Sequence, residues 1–413
     1  MFIRLASKSL LNRKGSVLLT ILAMSVSVFV LLGVEHIRHQ TKSSFNSTVS
    51  GVDLIVGART GSLNLLLYSV FRVGAPTNNI DWRTYQSIAS HSKVAWAIPI
   101  SLGDSHKGYR VMGTSTDYFK HFSYGEKRRL EFFQGKPFAD VFDVVLGADV
   151  AKKLNYKLGD RVVLAHGIGK TSFSLHDDKP FKVVGILAAT GTPVDQTLHV
   201  SLQGIEAIHM DWKNGVKIPG LAGTTESALF EQLEPEKITS AMVGLTSRMA
   251  TFRVQRDINN YRKEPLSAIL PGVALSELWQ MMGLLENALR LISGLILVAS
   301  LLGLSAMLLA SLREREREIQ LLRVIGASPL FLFMLIELEA LLICLLSIFL
   351  GAVGLYASLA VAGDYVSSSF GLHMGLNILS GSSLFFILLV LGLTILAAGV
   401  PSMSAYRYAK SQK

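Results

Sequence analysis

Four apolar runs, residues 16–34, 291–312, 330–355 and 384–403, each match the roughly 20 residues that a helix needs to cross a bilayer. The first carries no charge at all, and a lead-in with Glu286 and Arg290 precedes the second. Between these two runs lies a long stretch of ordinary globular composition. The order is one run, a large polar part, then three runs close together. It predicts an α/β membrane protein with four transmembrane helices, one N-terminal and three C-terminal, and a large external α+β domain inserted between the first and second.

Composition agrees with a membrane protein that carries a large aqueous part. The chain is 50% hydrophobic and 17% charged, below the roughly 25% charged residues of a typical soluble domain. Its net charge of +10 does not point to nucleic acid, because much of the Lys and Arg flanks apolar runs. Arg4, Lys8, Arg13 and Lys14 precede the first run; Arg313, Arg315, Arg317 and Arg323 lie between the second and third; Arg407, Lys410 and Lys413 follow the fourth. With four spans all three clusters fall on one side, expected to be the cytoplasm. The first run is expected to be an uncleaved anchor, since no small-x-small cleavage site follows Gly33. Cys344 is the only cysteine, so no intramolecular disulfide can form.

These signals divide the chain into segments. Residues 1–15 read as an interfacial helix on the inner leaflet, with Arg4, Lys8 and Asn12 spaced four apart. Residues 16–34 form the first span and 35–282 the external domain, with a core lobe at about 100–210 and a stalk helix over 275–290. The second span closes 283–312, a loop with a short helix occupies 313–329, and the third span is 330–355. An external loop (356–383), the fourth span (384–403) and a cytoplasmic tail (404–413) complete the chain.

The loop after the second run begins with a charged zigzag, Arg313-Glu314-Arg315-Glu316-Arg317-Glu318. Opposite charges fall at i,i+3, which allows the helix to continue into water. A short amphipathic segment follows, Ile319-Gln320-Leu321-Leu322-Arg323-Val324-Ile325-Gly326-Ala327-Ser328, and then a long helix bearing Glu337, Glu339 and Ala340. The pattern resembles the cytoplasmic loop of MacB/FtsX-type ABC transporter permeases. In that family the matching stretch is the coupling helix that fits a groove on the ATP-binding subunit. The resemblance therefore implies ATPase-coupling roles for Glu318, Leu321, Leu322, Arg323, Ile325 and Gly326. It extends to the layout of one span, a large external domain and three further spans.

A second resemblance lies in the external part. Val144-Val145-Leu146-Gly147-Ala148-Asp149-Val150-Ala151-Lys152-Lys153-Leu154, then Leu158-Gly159-Asp160-Arg161-Val162-Val163-Leu164, then Phe181-Lys182-Val183-Val184-Gly185-Ile186-Leu187, are similar to the MacB-like periplasmic core domain. The residues read as a short helix over 148–154, a Gly-Asp turn, a strand, and another strand after a polar loop. Elsewhere 51–58 reads as a strand, 240–254 as strand-rich after a turn at 233–238, and 255–290 as helix-prone but broken by Pro265 and Pro271. Leu65-Leu66-Leu67-Tyr68 is left with two readings, a core helix or a membrane- or cargo-facing wedge.

Catalytic and ligand motifs are weak. Gly167-Ile168-Gly169-Lys170-Thr171 imitates half a phosphate-binding loop, but Leu164 stands where the first glycine belongs, and a polar run follows where a helix should start. The chain is therefore expected to bind no cofactor itself, with ATP and Mg acting in a partner subunit. Asp104-Ser105-His106 says nothing about a triad, whose members meet only in the fold. No metal site is assigned: His36 with His39, and His176 with Asp177 and Asp178, lack a complete ligand set. Glu337 and Glu339, two positions apart, cannot share a helix face; they are expected near the cytoplasmic interface, pairing with Arg of the preceding segment.

The resemblance implies a non-catalytic permease subunit in a bacterial inner membrane, with both termini cytoplasmic and the large domain periplasmic. Its expected partners are an ABC ATP-binding subunit, a second permease copy or paralogue, the lipid membrane, and a periplasmic adaptor or cargo protein. Export or extraction of a lipoprotein, lipid or small toxic compound is one function class. ATP-driven signalling to a periplasmic cell-wall hydrolase is another, and metal homeostasis with a periplasmic binding protein a third.

Overall fold

The computed structural model describes residues 2–11, 13–48, 50–167, 176–210, 212–213, 216–217, 233–370, 375, 377–378, 380 and 381–411. It divides into two compact units, one built on the long apolar helices and one largely on Lys42–Met281.

In the first unit, four helices are long and apolar enough to cross a membrane: Lys14–Ser43, Pro271–Glu314, Pro329–Val361 and Gly381–Lys410. The helices that contain them run further, to Lys14–Thr48, Pro329–Phe370 and Gly381–Ser411. At 1.5 Å per residue the 44-residue Pro271–Glu314 helix is about 66 Å long, about twice a hydrocarbon core. Pro271 begins that helix at its first position, where a missing N–H costs nothing. The third of these helices reaches Phe370, so residues 356–370, expected as part of a loop, are helical instead. Their Gly, Asp and Ser content hid this, because only the apolar run was legible.

Heptad-like spacing organises the packing of this unit. Val17, Ile21, Met24, Val28 and Leu31 recur at alternating intervals of four and three and are buried together with Leu297, Leu301, Leu304 and Leu308, and with Ile336, Ala340, Ile343 and Cys344. Gly351 allows close approach: a Cβ there would meet Ser25 O at 2.9 Å and Val28 Cγ1 at 3.0 Å. Serines cross-link the helices, with Ser347 Oγ donating to Ile21 O at 3.2 Å and Ser305 Oγ to Ala397 O at 2.8 Å. Opposite faces carry exposed Leu18, Leu22, Leu295, Leu302, Leu388 and Leu396, suited to lipid. At one end, buried Glu35 is paired with Arg38 at 2.8 Å and Arg290 at 3.5 Å, and Arg38 reaches Glu286 at 3.7 Å.

The second unit is a mixed α/β domain on an eleven-stranded sheet. Its main path runs Leu266–Ile269, Leu54–Ala58, Ser240–Leu245, Val94–His106, Tyr109–Thr114, Thr197–Ser201, Asp143–Leu146, Phe181–Leu187, Phe132–Gly135. Two neighbours are parallel, Thr197–Ser201 with Tyr109–Thr114 and Phe181–Leu187 with Asp143–Leu146; the other pairs on the path are antiparallel. Central strands such as Leu54–Ala58 and Asp143–Leu146 are buried along their whole length. Period-two alternation sends Ile55 into one core and Leu54 and Val56 into another, and splits Met242 from Ala241 and Val243 in the same way.

The helix Ala148–Leu154 and the strand Phe181–Leu187 lie where the sequence places them, and Gly159 makes its turn at φ +91°. Leu65, Leu66 and Tyr68 are buried in the core, which removes the wedge reading. Two segments differ from expectation. Only Ser240–Leu245 of 240–254 is a strand, and a helix, Thr251–Asn259, follows it. The region 255–290 contains the strand Leu266–Ile269, which bonds along Leu54–Ala58. Short apolar stretches between prolines carry too little period to distinguish strand from helix.

His199 is fully buried on the strand Thr197–Ser201, its ring stacked 5.3 Å from Tyr118. Burial, reinforced by Arg72, pushes its pKa down from 6.5 to about 3. The ring is therefore neutral in the folded chain but titrates normally once unfolded. Its contribution is complete above about pH 6.5 and drains as pH falls toward 3, at up to about 1.4 kcal/mol per pH unit. Pulse proteolysis of the full-length chain in detergent should show a steeper loss of domain stability from pH 7 to pH 4.5 than in His199→Gln. Equal slopes would contradict this.

Candidate functional site

The segment between the second and third long helices is built from a helix break, one short helix and two caps. The helix Pro271–Glu314 stops at Arg315, whose φ of −103° and ψ of 15° leave the helical region, and Glu316–Val324 restarts it. At the far end Gly326 takes φ +103°, a conformation costly for any side chain. That turn lets Ala327 N–H donate to Leu322 O at 2.9 Å and Gly326 N–H to Arg323 O at 3.0 Å, closing the helix with the paired bonds of a Schellman cap. Ser328 then caps the next helix, its Oγ accepting from Phe331 N–H at 3.2 Å ahead of Pro329 at the first position. The run Gly-Ala-Ser-Pro is thus the end of one helix and the start of another.

Arg315 anchors the break. Its Nε donates to Glu318 Oε2 at 2.7 Å and its Nη1 to Glu339 Oε1 at 3.1 Å. Ser9 Oγ donates to the same Glu339 oxygen at 2.6 Å, and Arg13 Nη2 donates to Ser311 O at 2.8 Å. Burial works against the Arg315 charge, but the bonds to Glu318 and Glu339 outweigh it and raise its pKa. The pairing of Glu339 with a preceding Arg is as expected; its depth is not, since the carboxylate is buried. Glu337 takes a different position, its oxygens buried and Ser402 beside them. Of the three i,i+3 pairs in the zigzag, Arg315 with Glu318 forms, while Glu314 lies 3.8 Å from Arg13 instead.

The C-terminal helix joins the same end of this unit. Ile319 packs with Leu332 and Ala409, with Leu312, Leu322 and Phe331 around them, and Gln320 Nε2 donates to Tyr408 OH at 3.5 Å. The described members of the three basic clusters therefore share one end of the helix unit.

This packing sorts the six residues singled out from sequence. Leu322 is partly buried against the Ile319 cluster, and Gly326 shapes the cap. Glu318 is exposed and Arg323 half-buried. Leu321 and Ile325 face outward, 63% and 82% exposed, and so does Val324, which the sequence reading left out, at 85%. The result is an apolar face of three side chains at i, i+3 and i+4 on a short, well-capped helix. Gly167 is the one described residue of the phosphate-loop imitation; 168–171 lie outside the described residues. Asp104 and His106 form no triad with Ser105: His106 bonds Val163 O at 2.7 Å and Tyr156 OH at 2.9 Å.

Comparison with known proteins covers nearly all of this. Residues 17–261 match the MacB-like periplasmic core domain, and residues 290–410 match the FtsX-like permease C-terminal region. Among solved structures, the periplasmic region of MacB from Actinobacillus actinomycetemcomitans is similar at 13% identity and a TM-score of 0.35, covering 56% of this chain and 94% of that one. The extracellular domain of the noncanonic ABC-type transporter YknZ from Gram-positive bacteria is similar at 11% identity and a TM-score of 0.31, covering 53% and 99%. No curated protein matches.

Proposed function

The chain belongs to the MacB/FtsX-type ABC transporter permeases, and from that premise we propose that the Glu316–Val324 helix is where a separate ATP-binding subunit docks and drives it. The observation that carries this reading is the exposed face of Leu321, Val324 and Ile325. Three large apolar side chains on and just past a short helix closed by a Schellman cap are an unfavourable surface unless something covers them. Their setting among Arg317, Glu318 and Arg323 gives the polar rim of a protein contact rather than a lipid face.

In this reading the docking end is cytoplasmic, the side the basic clusters favour, and the large domain lies in the periplasm of the inner membrane. ATP binding and hydrolysis in the partner would push on this helix. Arg315 and Glu339 would pass the displacement to the helices on either side, and so to the stalk and the periplasmic domain. The chain itself is the non-catalytic, permease half, working with a second permease copy. The reading extends to export or extraction of a lipoprotein, lipid or small toxic compound, favoured by the size of the periplasmic domain over signalling to a cell-wall hydrolase.

The test is gentle purification from native membranes with mass spectrometry of the companions. An ATP-binding subunit in stoichiometric amount is expected, and a lipoprotein or adaptor beside it selects export. Its absence under conditions that preserve other membrane complexes contradicts the docking role.

A further inference from the structure

The periplasmic core domain brings together four side chains that are scattered in sequence: Asp104, His166, His176 and His209. Asp104 is buried on the strand Val94–His106, and His166, on the short antiparallel strand Ala165–His166, stands in register directly opposite it. His209 is the last residue of the helix Leu202–His209. His176 is buried in the segment before Phe181–Leu187, held by its own N–H donating to Leu164 O at 2.9 Å. One ligand atom from each lies within 4.8 Å of all the others.

The distances inside this group suit a small cation. Asp104 Oδ1 is 3.3 Å from His166 Nδ1 and 3.5 Å from His209 Nε2, and those two nitrogens are 3.2 Å apart. Ligands placed tetrahedrally at about 2.0–2.1 Å from zinc lie about 3.3–3.4 Å from each other. Three of the four donors already stand at that spacing. The rings meet edge to face, His166 and His209 at 75° and His176 and His209 at 81°, so they converge rather than stack.

Within the group, His166 Nδ1 and His209 Nε2 share a hydrogen bond at 3.2 Å. Asp104 Oδ1 is buried, and His166 Nδ1 and His209 Nε2 both face it. His209 Nδ1 lies 2.8 Å from Ile205 O, and because a carbonyl only accepts, a ring proton sits there and Nε2 is the nitrogen that faces the group, a ligand atom in the neutral ring. A backbone carbonyl fixing the far nitrogen is the outer-shell arrangement of metal-bound histidines.

We propose that Asp104, His166, His176 and His209 form a four-ligand site for Zn2+ or a similar divalent transition cation. Three imidazoles and one carboxylate, without thiolate, select this class over Ca2+ or Mg2+, which take oxygen. The His166 and His209 side chains are 46% and 27% exposed against 2% for Asp104, so the site opens to solvent at His166. A bound ion ties the end of the Leu202–His209 helix to the strand Val94–His106.

The test uses the full-length chain without a polyhistidine tag, stripped by a chelator in detergent and reloaded with Zn2+ or Co2+. One Zn2+ per chain is expected by metal analysis, together with the visible absorption of tetrahedral Co2+ and a rise in unfolding temperature with added Zn2+. His166→Ala, at a half-exposed position that folding tolerates, should weaken binding at least about tenfold, as should His176→Ala. Substoichiometric zinc, or unchanged zinc binding by His166→Ala, overturns the site. Neither result depends on the docking of an ATPase, so this proposal and the preceding one fail separately.

Discussion

Arg315→Ala should destabilise the helix unit by about 3–5 kcal/mol, because it leaves a buried carboxylate without its counter-charge. The Glu339 side chain is 3% exposed and that of Arg315 15%. With the guanidinium gone, Glu339 keeps, among the described residues, the hydrogen bond from the Ser9 hydroxyl and the more distant charge of Arg13. The cost belongs to the orphaned charge rather than to the bond, so the double variant Arg315→Ala with Glu339→Gln should recover most of the loss. Thermal unfolding of the detergent-solubilised chain, followed by size-exclusion chromatography, reads this directly. An Arg315→Ala chain as stable as the parent, or no recovery in the double variant, would show that the pair is not a tie between these helices.

Much of the helix unit was legible because it rests on long periods. Runs such as 16–34 exceed any soluble strand, and the four-three spacing of Val17, Ile21, Met24 and Val28 marks the buried seam. The domain was legible where a helix, a Gly turn and a strand follow one another, as over Ala148–Leu154 and Gly159. It was not legible at Leu266–Ile269, four residues whose conformation is decided by pairing with Leu54–Ala58 more than two hundred positions earlier.

The candidate sites show the same divide. The sequence marks the short amphipathic helix, but which of its apolar residues point outward depends on Leu332 and Ala409, distant neighbours that take up Ile319 and Leu322 and leave Val324 bare. The histidine group is invisible in sequence for the same reason. His176 with its sequence neighbours Asp177 and Asp178 makes no complete ligand set, and the register of His166 against Asp104 and the end of the Leu202–His209 helix give it other companions.

Val324→Glu with Ile325→Glu should uncouple the permease while leaving it folded. Both positions are more than four-fifths exposed, so charges there barely change stability. Removing an apolar anchor from an interface centre typically costs about 2 kcal/mol or more, roughly thirtyfold in affinity, and buried glutamates add a desolvation penalty. The ATP-binding subunit should then fail to co-purify, while thermal unfolding of the permease stays within about a degree of the parent. Leu322→Glu makes a contrast, since it should also disturb packing against Ile319.

The most direct measurement is a short-range cross-link from this face. Cys344 is the only cysteine and is buried, so Cys344→Ala with Ile325→Cys presents a single reactive thiol on the proposed docking surface. In inverted inner-membrane vesicles, whose cytoplasmic face points outward, a thiol-to-amine cross-linker of about 10 Å reach should join it to an ATP-binding subunit, and that subunit should protect it from a membrane-impermeant maleimide. A thiol at 325 that reacts freely in the presence of the ATPase, and yields no cross-linked product, would contradict the coupling role of this helix.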